Sequence, residues 1–190
     1  MEGLRYVQAN LQHCIAATAI LARELTANKY DIALIQEPYL YKGEVKGLGG
    51  TEGGGQGIII ASAYLPYEET DPVSGQLQDL ISYSSQVNME LIIGCDANAH
   101  NTAWGSTGNN VRGDKLLDYL VSSTMHIVNR GNKPTFVTAR RKEVIDITLA
   151  NSRALRKITN WYVSDEITLS DHKRICFTYR TKGYPGRQRK

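Results

Sequence analysis

Leu91-Ile92-Ile93 runs straight into Gly94-Cys95-Asp96-Ala97-Asn98-Ala99-His100. An apolar run of this length and composition reads as a buried strand, and this one ends in an acid, a spacer and an amide. Asp96 and Asn98 stand two apart, so in an extended segment both side chains leave the same face. A carboxylate beside an amide at a strand's end can take a proton from water and hold that water in line. Asp-x-Asn also occurs in ordinary turns, so the weight comes from its companions. These are Asn10 after a first strand, Gln36-Glu37 after a second, Ala63-Tyr64-Leu65-Pro66 after a third, and Ser170-Asp171-His172 near the end.

The remaining pattern sets the fold class. Leu4–Ala9 alternates as a strand does, and Cys14–Ala27 is rich in Ala, Leu and Ile at helical spacing. Asp31–Gln36 reads as a buried strand halted at Glu37-Pro38, and Gly57–Tyr64 as another ending before Pro66. Gly75–Gln86 reads as a helix with Leu77, Leu80 and Ile81 on one face, followed by a strand over Glu90–Cys95. Asp114 is the expected N-cap of a helix through Val121. Thr135–Thr138, Val144–Leu149, Ile158–Val163 and Ile175–Tyr179 make the second half rich in strands. Strands come both with helices between them and in bare succession, which favours a layered α/β sandwich over a doubly wound parallel sheet.

A length of 190 residues, with 42% hydrophobic and 22% charged, fits one soluble domain with a real core. No apolar run reaches the roughly 20 residues that span a bilayer, and Met1-Glu2-Gly3-Leu4-Arg5 has no signal-peptide pattern. Cys14, Cys95 and Cys176 lie far apart with no C-x-x-C, as in a reduced intracellular protein with cysteines used as small buried hydrophobes. Net charge is only +3 but unevenly spread. Residues 1–129 carry 7 Lys/Arg against 14 Asp/Glu, and residues 130–190 carry 15 against 5. A basic part facing an acidic part suits a polyanion held against a metal-binding cleft; a charged tail explains some of the asymmetry. Gly47–Gly57 holds seven glycines in eleven residues, but no Gly-Lys-Ser/Thr follows, so a surface loop is expected rather than a phosphate loop.

Taken residue by residue, the companions point to one chemistry. Glu37 ends a buried strand and offers hard oxygen of the kind that suits Mg²⁺ or Mn²⁺ better than zinc. Asn10 ends the first strand, where its amide can meet a metal-held water or a phosphate. A phenol at Tyr64 can donate to a phosphate oxygen as charge develops. Asp146 stands among Val144, Ile145, Ile147 and Leu149, where a charge needs a partner. His172 is the natural one, because a carboxylate fixes an imidazole's tautomer and stabilises its cation. Arg140-Arg141-Lys142, with Arg153, Arg156 and Lys157, are candidates for phosphate contacts. His13 and His100 read as loop residues, and His126 as the start of a strand.

The ordered set Asn10, Gln36-Glu37-Pro38-Tyr39, Ala63-Tyr64-Leu65-Pro66, Gly94-Cys95-Asp96-Ala97-Asn98, Ile145-Asp146-Ile147-Thr148 and Ser170-Asp171-His172 resembles the endonuclease/exonuclease/phosphatase superfamily. Asp96-Ala97-Asn98-Ala99 with Trp104-Gly105-Ser106, Arg112-Gly113-Asp114, Pro134-Thr135-Phe136 and Ser170-Asp171-His172 narrows the resemblance. Together they look like the apurinic-endonuclease-like domain of a non-LTR (LINE-type) retrotransposon. The resemblance covers about residues 4–180 and implies a four-layered α/β sandwich of two mixed sheets flanked by helices. It implies an endonuclease domain over residues 1–182, with 183–190 as a basic tail or the start of a linker toward a reverse transcriptase domain of the same polyprotein.

The implied reaction is Mg²⁺- (or Mn²⁺-) dependent hydrolysis that nicks one strand of double-stranded DNA. It leaves a 3′-hydroxyl for target-primed reverse transcription in the nucleus, with no membrane partner. By resemblance, Glu37 is the main metal ligand, helped by Asn10, with Asp171 lining the metal side. Asp96 activates water and Asn98 orients it. Tyr64 and His172 contact the scissile phosphate, and Asp146 orients His172. Tyr67, Arg140, Arg141 and Lys142 are the expected DNA contacts. Two features depart from the pattern. Gln12 stands where many relatives carry an acid, which weighs against two metals, and the stretch between Glu37 and Tyr64 is short, as if loop residues were missing. The competing readings are an abasic-site repair enzyme, a phosphatase of the same superfamily, and a catalytically dead nucleic-acid-binding module.

Overall fold

Alternate residues of the central strands enter different cores, and that alternation fixes the layering. The structure, a computed structural model, describes residues 3–27, 29–41, 44–45 and 58–181. The glycine-rich segment 47–57 and the basic tail 183–190 lie outside the described residues, so the expectations for them stand untouched.

One sheet has the order β11-β12-β1-β2, built from β11 (Ile158–Val163), β12 (Ile175–Arg180), β1 (Gly3–Asn10) and β2 (Ile32–Gln36). The other has the order β5-β6-β10-β7, built from β5 (Ile58–Tyr64), β6 (Glu90–Asp96), β10 (Asp146–Asn151) and β7 (Met125–Ile127). Both are mixed: β1 runs parallel to β2 and antiparallel to β12, and β6 runs parallel to β5 and antiparallel to β10. In β1, Val7 and Ala9 pack with Ala17 and Leu21 of α1 (Ile15–Thr26). Tyr6, one residue out of phase, packs between the sheets with Leu34, Ile92, Ala150 and Phe177. In β6, Ile92 shares that inner core, while Leu91, Ile93 and Cys95 face α2 (Gly75–Gln86) and α3 (Val111–Ser122). The result is helix, sheet, sheet, helices, the four-layered arrangement expected. Burying apolar area on both faces of each sheet, at roughly 25 cal/mol per Å², drives it.

Toward one end, the space between the sheets turns polar. Gln8 Nε2 donates to the carbonyls of Cys95 and Ile147, at 3.3 and 3.2 Å, and its Oε1 accepts from Thr148 Oγ1 at 3.0 Å. Gln36 Nε2 donates to Ser62 Oγ (2.8 Å) and to the Gly94 carbonyl (3.0 Å). Gly94 permits this approach, because a Cβ there would lie 2.9 Å from Leu34 Cδ1 and 3.0 Å from the Gln8 amide. Buried amides paired across the gap hold the sheets in one register.

Several boundaries differ from expectation. Helix α3 begins at Val111, three residues before Asp114, because Asn110 is the cap: its Oδ1 accepts from Gly113 N at 2.8 Å. Asp114 sits in the first turn, where a carboxylate suits the helix dipole, and accepts from Asn101 Nδ2. Strand β10 begins at Asp146 rather than Val144, and the Ile145 amide just before it donates to Thr135 Oγ1. The strand expected over Thr135–Thr138 forms as β8 (Phe136–Val137), paired with β9 (Lys142–Glu143); β9, the hairpin β3 (Leu40–Tyr41)/β4 (Glu44–Val45) and the short α4 (Ser152–Leu155) are too brief to show a period in sequence. Among the described residues no helix is long and apolar enough to cross a membrane.

Candidate active site

The register brings the polar strand ends together. Asp146 pairs with Asp96 across β10 and β6, Tyr64 pairs with Asp96 across β5 and β6, and Asn10 pairs with Gln36 across β1 and β2. Residues as far apart as Asn10 and Asp96, 86 positions, thus end at one edge of the sandwich. Asn10 Nδ2 donates to Asp96 Oδ2 at 2.8 Å, joining the two sheets. The Asn98 amide donates to Asp96 Oδ1 at 3.2 Å. Both carboxylate oxygens of this buried acid are therefore held, one by each sheet's loop.

The pair expected between Asp146 and His172 is formed. His172 Nδ1 lies 3.0 and 2.9 Å from the two Asp146 oxygens, and both side chains are buried. The Phe136 ring meets the imidazole edge-on at 4.9 Å, and Phe136 and His172 share an isolated β-bridge. With Nδ1 turned to Asp146, Nε2 is the nitrogen left to act. The turn carrying His172 is fastened from within: Ser170 Oγ donates to the Asn10 carbonyl (2.9 Å), and Thr168 Oγ1 to the His172 carbonyl (2.9 Å).

Gln12 explains the missing acid. Its Oε1 accepts from the Asp171 amide (2.8 Å) and from Ser170 Oγ (3.1 Å). An amide carbonyl at this position locks the Asp171–His172 turn to the end of β1. Gln12, His13, Glu37, Asn98 and Leu169 all have left-handed backbone, with φ of 47, 52, 45, 44 and 56°. Such φ values are uncommon for residues other than glycine, and they cluster where surrounding structure fixes a site.

Electrostatics single out Asp96. Burial, then the charge of Asp146, pushes its pKa up to about 7, against the opposing pull of His172 and the hydrogen bonds from Asn10 and Asn98. Burial alone would lower the His172 pKa, but Asp146, with Asp96 and Glu37 beyond it, outweighs that and raises it above the usual 6.5. Burial, then the charges of Glu37, Asp96 and Glu68, holds the Tyr64 phenol above its usual 10. Near neutral pH the site thus holds a carboxylate poised to take a proton, a histidine biased toward its cation, and a phenol that keeps its hydrogen.

The other expected residues fall in different places. Asp171 is exposed beside His172, and Tyr67 is largely exposed beyond Tyr64. Arg140, Arg141 and Lys142 lie on the β8–β9 hairpin, whose Phe136 touches His172. Arg141 already donates to His100 Nε2 at 2.5 Å. Arg153, Arg156 and Lys157 follow the far end of β10, next to the Glu90 end of β6. Six strand steps from Asp96 is about 20 Å. There Lys157 pairs with Glu90 (2.6 Å), and Arg153 donates to the Asn88 carbonyl (2.7 Å). The antiparallel turn-back of β10 carries these three candidates for phosphate contacts to the end of the sheet opposite Asp96.

The donor set fits a hard divalent cation. Ligand atoms of Asp96, Asp146 and His172 lie within 4.8 Å of one another, and Glu37 is near enough for its charge to act on both His172 and Tyr64. Asp96, raised to about 7 by burial and then by the charge of Asp146, stands with Asp146 and Glu37 in a site where acids outnumber the single histidine. Oxygen-rich donors of that charge match Mg²⁺ or Mn²⁺. The sequence places the ion on Glu37, Asn10 and Asp171; beside them, among the described residues, Asp96, Asp146 and His172 form a further group that could hold an ion, joined to Asn10 through Asp96.

Two mixed sheets packed face to face, with this acid–amide and Asp–His constellation at one edge, define a domain of the endonuclease/exonuclease/phosphatase fold. More narrowly, the chain belongs to the endonuclease–reverse transcriptase family, whose profile matches residues 58–176. It is similar to the endonuclease domain of TRAS1, a telomere-specific non-LTR retrotransposon, with 28% identity and a TM-score of 0.77 over 95% of this chain and 100% of that one. An AP endonuclease from Archaeoglobus fulgidus shares the fold at 14% identity and a TM-score of 0.63, over 94% of this chain and 100% of that one. No curated protein sequence matches significantly.

Proposed function

We propose that this domain is a divalent-metal-dependent endonuclease that nicks one strand of double-stranded DNA. The 3′-hydroxyl it leaves would prime reverse transcription by a reverse transcriptase domain of the same polyprotein. On this reading residues 1–182 are the nuclease, 183–190 lead toward the next domain, and the site of action is the nucleus. The observation that carries it is Asp96: buried, held by Asn10 and Asn98, raised to about 7, and set beside a formed Asp146–His172 pair.

Asp96 takes the proton of the attacking water on a carboxylate oxygen, and the side-chain carboxamide of Asn98 keeps that water in line. His172 donates from Nε2 to a non-bridging phosphate oxygen, with Asp146 holding its tautomer through Nδ1. Tyr64, half-exposed at the rim, donates its phenolic hydrogen to the same developing charge. A bound Mg²⁺ or Mn²⁺, held by Glu37 with Asn10 and Asp171, would neutralise charge on the phosphate and the leaving oxygen. Arg140, Arg141, Lys142 and Tyr67 would hold the duplex against the site.

The test is nicking of supercoiled plasmid with Mg²⁺ or Mn²⁺, beside Asp96→Ala and His172→Ala. The expected result is open circles from the wild type that a polymerase extends without end repair. EDTA or either substitution abolishes them. Metal-independent cleavage, or nicking unchanged by both substitutions, would overturn the proposal.

A further inference from the structure

Arg112 is buried in the first turn of α3, with 8% of its surface exposed, and among the described residues no carboxylate pairs with it. Its partners are backbone carbonyls. Nε donates to Asn98 O at 3.1 Å, and NH2 lies 3.4 Å from both Leu65 O and Ala97 O. The remaining nitrogen, NH1, is buried without a partner. A cation desolvated against neutral carbonyls, one donor unused, is a poor device for stability alone.

Its partners say what it is good for. Ala97 and Asn98 follow Asp96, and Leu65 follows Tyr64, so one guanidinium gathers the two segments that leave the site from adjacent strands. Asn98 Nδ2 also reaches Leu65 O, at 3.4 Å. Asn98 itself holds a left-handed backbone with φ 44°, and Arg112 grips the carbonyl of that residue. The helix start is fitted to the same loop. Asn110 Oδ1 accepts from both His100 N (3.1 Å) and Gly113 N (2.8 Å). A Cβ on Gly113 would stand 1.8 Å from the His100 carbonyl. The segment Asn110–Asp114 is therefore a platform on which loop 97–101 is seated.

We propose that Arg112 is a positioning residue that sets the backbone of Asn98 and, through Leu65, ties it to the Tyr64 segment. The proposal rests on the nuclease reading, since Asn98 is the group through which it acts. A lysine places one point charge where the guanidinium spans three carbonyls. Arg112→Lys is thus expected to lower kcat for nicking by about 10²-fold, the effect of a misplacement near 1 Å, with KM changed less than about threefold.

The deciding measurement is a double-mutant cycle on kcat with Asn98→Ala. If Arg112 acts through Asn98, Arg112→Lys costs less than about threefold once Asn98 is already alanine. Equal losses in both backgrounds, or no loss in the single variant, overturn the proposal. Thermal melts accompany each variant. If Arg112→Lys is unfolded at the assay temperature, the cycle is run with Arg112→Gln and read in the same way. A wild type that does not nick DNA would instead sink the nuclease reading, so the two failures are told apart.

Discussion

Asp96→Asn is expected to abolish nicking and yet stabilise the metal-free protein at pH 8. The folded-state pKa of Asp96, about 7, lies above its ordinary 3.8, so the fold prefers the protonated acid. The resulting penalty is absent below the ordinary value, grows as pH rises, and is complete above the folded value. At 1.36 kcal/mol per pH unit it amounts to about 4 kcal/mol. Asparagine removes the charge but keeps one acceptor, giving up one of the two bonds from Asn10 and Asn98. That loss costs about 1 kcal/mol. The net gain at pH 8 is therefore about 3 kcal/mol, or about 6–12 °C in Tm for a domain of this size. The assay is urea unfolding in EDTA, wild type against Asp96→Asn, at several pH values from 4 to 8. His172, whose pKa is also raised, contributes stability fully below its usual 6.5 and loses it as pH rises through its folded value. Asp96 and His172 act on each other's titration, so the difference between the two proteins reports the pair, with burial of the Asp96 charge as its main cause. A difference that stays flat across this range refutes the claim that Asp96 is a buried charge awaiting a counter-ion.

Asp146→Asn removes the main cause that raises the His172 pKa and one that raises Asp96. Imidazole and carboxyl titrations by NMR without metal are expected to move both pKa values down, and kcat to fall by about 10²–10⁴-fold; an unmoved imidazole would refute the pairing's role. Replacing Arg140, Arg141 and Lys142 by alanine is expected to weaken DNA binding alike across sequences. If all three touch phosphates, the slope of log K against log salt flattens by about 2.7, and an unchanged slope removes them from the interface. Gly113→Ala forces its Cβ onto the His100 carbonyl. The strain is expected to cost several kcal/mol, or to unseat loop 97–101 and depress kcat, and a normal melt with normal kcat would contradict the packing described.

Local periodicity and composition were enough for most of the elements. Gly75–Gln86 and Ile158–Val163 match the expected spans because each carries an unbroken pattern with clear stops. The elements that escaped were β3, β4, β9 and α4, each of two to four residues, and the start of α3, where the capping side chain of Asn110 outweighed the acid at Asp114. Asp146 was legible because a lone acid in an apolar strand needs a partner, and a histidine is a natural one, although His172 lies 26 residues on. Gln12, Thr135 and Arg112 were not legible as supports. Each acts on the backbone of a segment distant in sequence, and no spacing rule reports which amide or carbonyl will lie within 3 Å.

Local pattern was enough for a layered α/β sandwich and for the strand ends that carry polar groups, and the resemblance those residues carry implied the two mixed sheets and the family. Alternation and strand-end residues are local properties, so they survive without coordinates. Tertiary structure decided the rest. It set Asn10 against Asp96 across the two sheets, carried Arg153, Arg156 and Lys157 to the far end, and turned Gln12 into the clamp of the Asp171–His172 turn. It also raised the Asp96 pKa, because desolvation and the field of Asp146 depend on burial and distance, which a linear chain does not possess.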